Sequence, residues 1–129
     1  MTASAVPGLV LVVDDIEGNR LLAQAHLERI GWRAEAVSNV GAALDFLEHT
    51  VPEAMLIDIR MPGFSGDLLA TILRADPATA GIRLLAYTAH ALPDEVSSLK
   101  RSGFEEVLIK PVLMQQMLEA FGPAKLLAA

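Results

Sequence analysis

Leu9-Val10-Leu11-Val12-Val13-Asp14-Asp15 is an apolar run that ends abruptly in two carboxylates. The form returns at Ala54-Met55-Leu56-Ile57-Asp58, and again at Leu108-Ile109-Lys110-Pro111, where the closing charge is positive. Short apolar runs bounded by polar or turn residues read as buried strands. In a parallel sheet with helices on both faces, ligands gather outside the carboxyl ends of the strands. As parallel neighbours, these runs bring three carboxylates and one ammonium to one edge. Carboxylates crowded in this way repel one another unless a cation joins them. A hard divalent ion such as Mg²⁺ suits the set, since it takes one or two carboxylates together with water and phosphate oxygens. The cluster points to phosphoryl chemistry.

Outward from these runs, strand-like and helix-like segments alternate from Leu9 to Phe121. Strands are expected at Leu9–Val13, Arg33–Val37, Ala54–Ile57, Ile82–Tyr87 and Glu105–Ile109. The first helix starts between Asp15 and Asn19, has Leu21, Leu22, Ala25, Leu27 and Ile30 as its apolar side, and stops at Gly31. Ser38 or Asn39 caps the second, whose Val40, Ala43, Leu44 and Leu47 face inward. The turn-rich stretch from Arg60 to Gly66 leads into a third helix with Leu68, Leu69, Ile72 and Leu73, ending near Asp76-Pro77. The fourth and fifth helices are expected at Leu92–Arg101 and Leu113–Phe121. Five βα units predict an α/β fold with a parallel sheet and right-handed crossovers; the expected arrangement is doubly wound and five-stranded with strand order 2-1-3-4-5, a flavodoxin-like (βα)5 fold. The corresponding division is an N-terminal extension over 1–8, one domain over 9–121 and a C-terminal tail over 122–129.

The composition fits a packed domain, with 53% hydrophobic and 20% charged residues in a chain of 129. Its formal net charge of −6, from 10 Lys and Arg against 16 Asp and Glu, argues against nucleic acid and anionic lipid as partners. With no cysteine, disulfides and thiolate metal sites are excluded. No apolar run approaches the roughly 18–20 residues of a membrane span. Met1 to Gly8 lacks the basic start and apolar stretch of a signal peptide, so a cytoplasmic setting is expected.

Asp14-Asp15, Asp58, Thr88 and Lys110-Pro111 each follow a strand, and Met61-Pro62-Gly63-Phe64-Ser65-Gly66 follows Asp58. Together they resemble the receiver domains of two-component response regulators, over nearly the whole chain. No single piece is specific, but their order and placement are. The resemblance implies that Asp58 accepts a phosphoryl group from a histidine kinase or phosphotransfer protein and later loses it to water. It implies a Mg²⁺ site in which Asp15, Asp58 and the backbone carbonyl of Arg60 are direct ligands and Asp14 acts through water. Lys110 and Thr88 would then address phosphoryl oxygens, and the peptide before Pro111 would be cis. Such a domain is a signalling switch rather than an enzyme on an external substrate.

Each residue also has a plainer role. Asp14 and Asp15 could cap the first helix, and Lys110 could be a surface lysine. Helix capping does not explain a lysine converging from a fifth strand. A different reading is a Mg²⁺-dependent phosphatase with an aspartate nucleophile. Such enzymes carry a second acid two positions after the nucleophile, and here that position is Arg60, whose side chain is long enough to reach over the site. The family's usual aromatic residue three positions before the lysine is here Val107. The start of the first helix, with Ile16, Asn19 and Arg20, is the expected docking end for the kinase or phosphotransfer partner. A downstream protein is expected on the face formed by the fourth helix, fifth strand and fifth helix. His26 and His49 are given no chemical role, nor is His90, two residues beyond Thr88. The few residues after Phe121 hold no effector domain, so the chain is either a stand-alone receiver or a piece of a larger kinase or regulator.

Overall fold

The computed structural model describes residues 5–89 and 91–123; the expectations for His90 and for the tail beyond Pro123 lie outside the described residues. Strands β1 (Val6–Val13), β2 (Arg33–Val37), β3 (Pro52–Asp58), β4 (Arg83–Thr88) and β5 (Phe104–Ile109) form one sheet. Every neighbouring pair is parallel and the spatial order is β2-β1-β3-β4-β5, the order expected. Helices α1 (Glu17–Arg29), α2 (Val40–Leu47), α3 (Gly66–Ala75), α4 (Pro93–Arg101) and α5 (Met114–Phe121) lie between and after the strands. Within the β3–α3 connection, Arg60–Met61 pairs antiparallel with Phe64–Ser65.

The period of two along a strand divides the core into two layers. Val10, Val12, Ala54, Leu56 and Leu85 pack with Ala23 and Leu27 of α1 and Met117 and Phe121 of α5. Leu11, Val13, Met55, Ile57 and Leu84 pack on the other face with Ala43 of α2, Leu69 and Leu73 of α3 and Leu99 of α4. Asn39 caps α2, accepting from the Ala42 backbone N–H at 2.7 Å.

Three expectations are corrected. β1 begins at Val6 rather than Leu9, with a register irregularity between Val6 and Val10. Within the added stretch, Gly8 adopts a φ of 76° and its N–H donates to Glu53 Oε1 at 2.9 Å. On α1, Leu21 and Leu22 are exposed and Ala23 and Leu27 are buried. On α3, Leu68 and Ile72 are exposed beside buried Leu69, Ala70 and Leu73. A helix laid on a sheet buries one narrow stripe, and an apolar residue adjacent in sequence points about 100° away from it.

Arg74 ties the loops at the lower edge together. Its guanidinium donates to the carbonyls of Ala80, Ile82 and Gly103 at 2.6, 2.7 and 2.6 Å. Gly103, at φ +116°, has no room for a Cβ, which would lie 2.7 Å from Arg74 Nε. Removing the donor leaves these part-buried carbonyls short of a partner, at the cost of their desolvation. Arg74→Met is therefore expected to lower the unfolding free energy by about 2–4 kcal/mol. The readout is a reduced urea midpoint at unchanged slope. A midpoint equal to that of the wild type contradicts the role.

Candidate functional site

The carboxyl ends of β1, β3 and β5 meet at one edge. Asp14 follows the last residue of β1, Asp58 is the last of β3, and Lys110 comes directly after β5. Asp14 and Asp58 are buried, at 0% and 3% exposure, whereas Asp15 is exposed. Each of the three offers a carboxylate oxygen, and these oxygens lie within 4.8 Å of one another. Lys110 Nζ stands between two of the acids, 3.1 Å from Asp14 Oδ2 and 3.3 Å from Asp58 Oδ2.

Backbone geometry fixes these groups. Asp14 Oδ1 accepts from the Ile16 N–H at 2.9 Å, which shapes the entry to α1. Neither Asp14 nor Asp15 caps α1, whose N-cap is Ile16 without a side-chain cap bond; the Asp14 contact to the Ile16 N–H coexists with its contact to Lys110. Arg20 of α1 donates to the Asp14 carbonyl at 2.9 Å. Asp58 Oδ1 accepts from the Arg60 N–H at 3.0 Å. Lys110 N–H donates to the Thr88 carbonyl at 2.8 Å, joining the ends of β4 and β5, and the Lys110–Pro111 peptide is cis. Thr88 itself is buried.

Gly66 closes the loop after Asp58 for a steric reason. A Cβ there would meet the Ile59 Cδ1 at 2.9 Å, the Ile59 Cα at 3.0 Å and the Asp58 carbonyl at 3.1 Å. The first residue of α3 therefore rests directly on the strand end that carries Asp58.

Burial pushes the Asp58 carboxyl above the ordinary carboxylate range, against the opposing pull of the Arg60 N–H and the Lys110 charge, with the Asp14 charge adding to the rise. Such a group favours neutralisation by a proton or by a nearby cation.

Some side chains lie where the sequence did not place them. Arg60 crosses the rim of the site and ends on Glu95 of α4, Nη2 to Oε2 2.8 Å, with both side chains about half exposed. Val107 packs as an ordinary strand residue in the layer covered by α2, α3 and α4. Ile16 is 54% exposed at the start of α1, and Asn19 and Arg20 are half-buried. His26 is half-buried on α1 and His49 is exposed. Tyr87 is the site residue that sequence reasoning missed. Its hydroxyl donates to Asp14 Oδ2, and its ring centroid lies 4.5 Å from Lys110 Nζ. Burial, followed by the bond to Asp14, pushes its phenol far above the ordinary value, so it remains a donor. The available signal was a lone tyrosine one residue before the end of an apolar strand.

No helix among the described residues is long and apolar enough to cross a membrane. The response regulator receiver domain family matches residues 10–122. The chain is 34% identical over 113 residues to the Sensor protein GacS of Pseudomonas syringae pv. syringae, a match that covers 85% of this chain and 12% of that protein. It is thus similar to a small part of a much longer relative. A response regulator receiver protein from Pseudomonas putida superposes with a TM-score of 0.81 at 28% identity, covering 92% of this chain and 98% of that one. The receiver domain of sensor histidine kinase PA1611 from Pseudomonas aeruginosa PAO1 has a TM-score of 0.77 at 24% identity, covering 88% and 93%. That structure holds a magnesium ion in its active-site cleft.

The raised Asp58 carboxyl sets a pH dependence. A carboxyl held above its unfolded value of 3.8 stabilises the fold fully below that value, and the contribution is lost as pH rises through the folded value. Asp58→Asn is accordingly expected to raise the thermal midpoint of the metal-free protein at pH 7. Each kcal/mol recovered corresponds to about 4 °C in a domain of this size. The advantage should shrink as the pH is lowered into the carboxylate range. A variant that melts below wild type at pH 7 contradicts the assignment.

Proposed function

Because the chain belongs to the response regulator receiver domain family of two-component signalling, we propose that it accepts a phosphoryl group on Asp58 from a phosphohistidine donor. The observation that carries this reading is Lys110 Nζ bridging Asp14 and Asp58 at 3.1 and 3.3 Å, at the edge where Asp15 joins them. An ammonium and three acids gathered from three strands suit a dianionic phosphoryl group better than any purely structural need.

The donor set fits Mg²⁺, an oxygen-seeking ion that combines few carboxylates with water and phosphate oxygens. Both oxygens of Asp14 already accept protein hydrogen bonds, from Ile16 and Tyr87, which suits a carboxylate acting through water. Asp15, Asp58 and the Arg60 carbonyl are the proposed direct ligands. Bound there, the ion supplies positive charge that offsets repulsion between Asp58 and the phosphoryl oxygens.

The remaining steps belong to the protein. An Asp58 oxygen attacks phosphorus in line, forming the acyl phosphate as the bond to the donor imidazole breaks. Lys110 pairs with a phosphoryl oxygen in place of the Asp58 oxygen, and the Thr88 hydroxyl donates to another. Water later cleaves the acyl phosphate, so the domain works as a switch and its turnover is confined to its own Asp58. The donor approaches over the start of α1, where Ile16 is exposed beside the site. A downstream protein reads the α4–β5–α5 face, where Ile109 and Leu113 are exposed. The setting proposed for this relay is the cytoplasm.

Treatment with acetyl phosphate is expected to phosphorylate the protein only in the presence of Mg²⁺, with the adduct on Asp58 labile to base and hydroxylamine. Intact-mass spectrometry reads the outcome. Asp58→Asn should remain unlabelled, and full labelling of that variant sinks the assignment.

A further inference from the structure

We propose that Tyr87 is a positioning residue that sets the geometry of both Asp14 and Lys110, its hydroxyl fixing the carboxylate and its ring seating the ammonium. The inference rests on the reading of the acidic cluster as a divalent-cation and phosphoryl site. Tyr87 is the penultimate residue of β4, and the period of two turns it to the α1 and α5 side of the sheet. From there its ring passes β3, which lies between β4 and β1, and the hydroxyl reaches Asp14 at the end of β1. The side chain is buried and accompanied by Val10, Val12, Leu56 and Leu85, so its place is held by packing.

The two contacts act on different partners. Asp14 Oδ1 is held by the Ile16 N–H, whereas Oδ2 takes both the Tyr87 O–H and the Lys110 ammonium. Without the hydroxyl, Lys110 is the one side-chain donor among the described residues that the structure gives that oxygen. The carboxylate then follows the ammonium, and the ammonium is drawn from Asp58 toward Asp14. Beneath Lys110, the tyrosine face offers its negative quadrupole to the charge at 4.5 Å. This is a second hold on the ammonium, independent of the hydroxyl. Removing the hydroxyl alone disturbs Asp14 first. Removing the ring disturbs both groups.

The variants Tyr87→Phe and Tyr87→Leu separate these holds. Groups that orient a carboxylate around a metal typically contribute tenfold or more to affinity. Calorimetric Mg²⁺ titration is expected to show binding weakened by about tenfold in both variants. The rate of labelling by acetyl phosphate, extrapolated to saturating Mg²⁺, should fall further in Tyr87→Leu, by about tenfold relative to Tyr87→Phe. The ¹H–¹⁵N signal of the Lys110 ammonium should shift in Tyr87→Phe even without Mg²⁺. A merely structural tyrosine would lower the melting point of both variants and leave this signal and the Mg²⁺ affinity of the folded protein unchanged, and that result overturns the proposal. Should Tyr87→Leu fail to fold, the affinity and ammonium signal of Tyr87→Phe decide alone. Wild-type protein that binds Mg²⁺ but takes no label removes the phosphoacceptor reading, and the affinity and ammonium measurements still decide the role of Tyr87.

Discussion

Everything at the upper edge of this sheet depends on one electrostatic constraint. Asp14 and Asp58 are both buried, and Asp15 brings a third carboxylate within 4.8 Å. Like charges this close in a partly desolvated setting repel strongly, and a buried carboxylate without a partner is costly. The Lys110 ammonium, 3.1 and 3.3 Å from the two buried acids, is the compensation the fold supplies. Among the described residues it is the one cation ion-paired with any of these three carboxylates. A site so balanced is stable enough to fold and still attractive to a further cation.

The topology makes the arrangement possible. With β3 at the centre and β1 beside it, Asp58 and Asp14 stand at the ends of adjacent strands, and Lys110 returns from β5, two strands from β3. The cis peptide at Pro111 and the bond from Lys110 N–H to the Thr88 carbonyl mark where β5 turns back toward the acids. Gly66 lets α3 begin against the Asp58 carbonyl, so the strand end that carries Asp58 has little freedom to drift. Across the rim, Arg60 meets Glu95, linking the Asp58 loop to α4 through a pair about half exposed. Exposed pairs of this kind contribute about 0.2–1 kcal/mol, so the link is a weak one.

The sequence made the strand ends legible because each announces itself as an apolar run stopped by charge. Asp14, Asp15, Asp58 and Lys110 were found in this way, and the parallel sheet followed from the alternation. The helix faces were read less well. Leu21 and Leu68 are apolar but exposed, because burial on a sheet selects one stripe and periodicity alone does not choose among neighbouring leucines. Tyr87 and Arg74 escaped for another reason. Tyr87 meets Asp14 from 73 residues away across an intervening strand, and Arg74 meets the Gly103 carbonyl from 29 residues away. No local pattern encodes a contact that exists only once the sheet is assembled.

If Lys110 and a divalent ion neutralise the same carboxylates, they compete, and the Mg²⁺ affinity of Lys110→Gln measures that competition directly. The account predicts that the variant binds Mg²⁺ more tightly than wild type, since a positive charge has left a cluster of three acids. Binding that is unchanged or weaker in a variant that remains folded would contradict it.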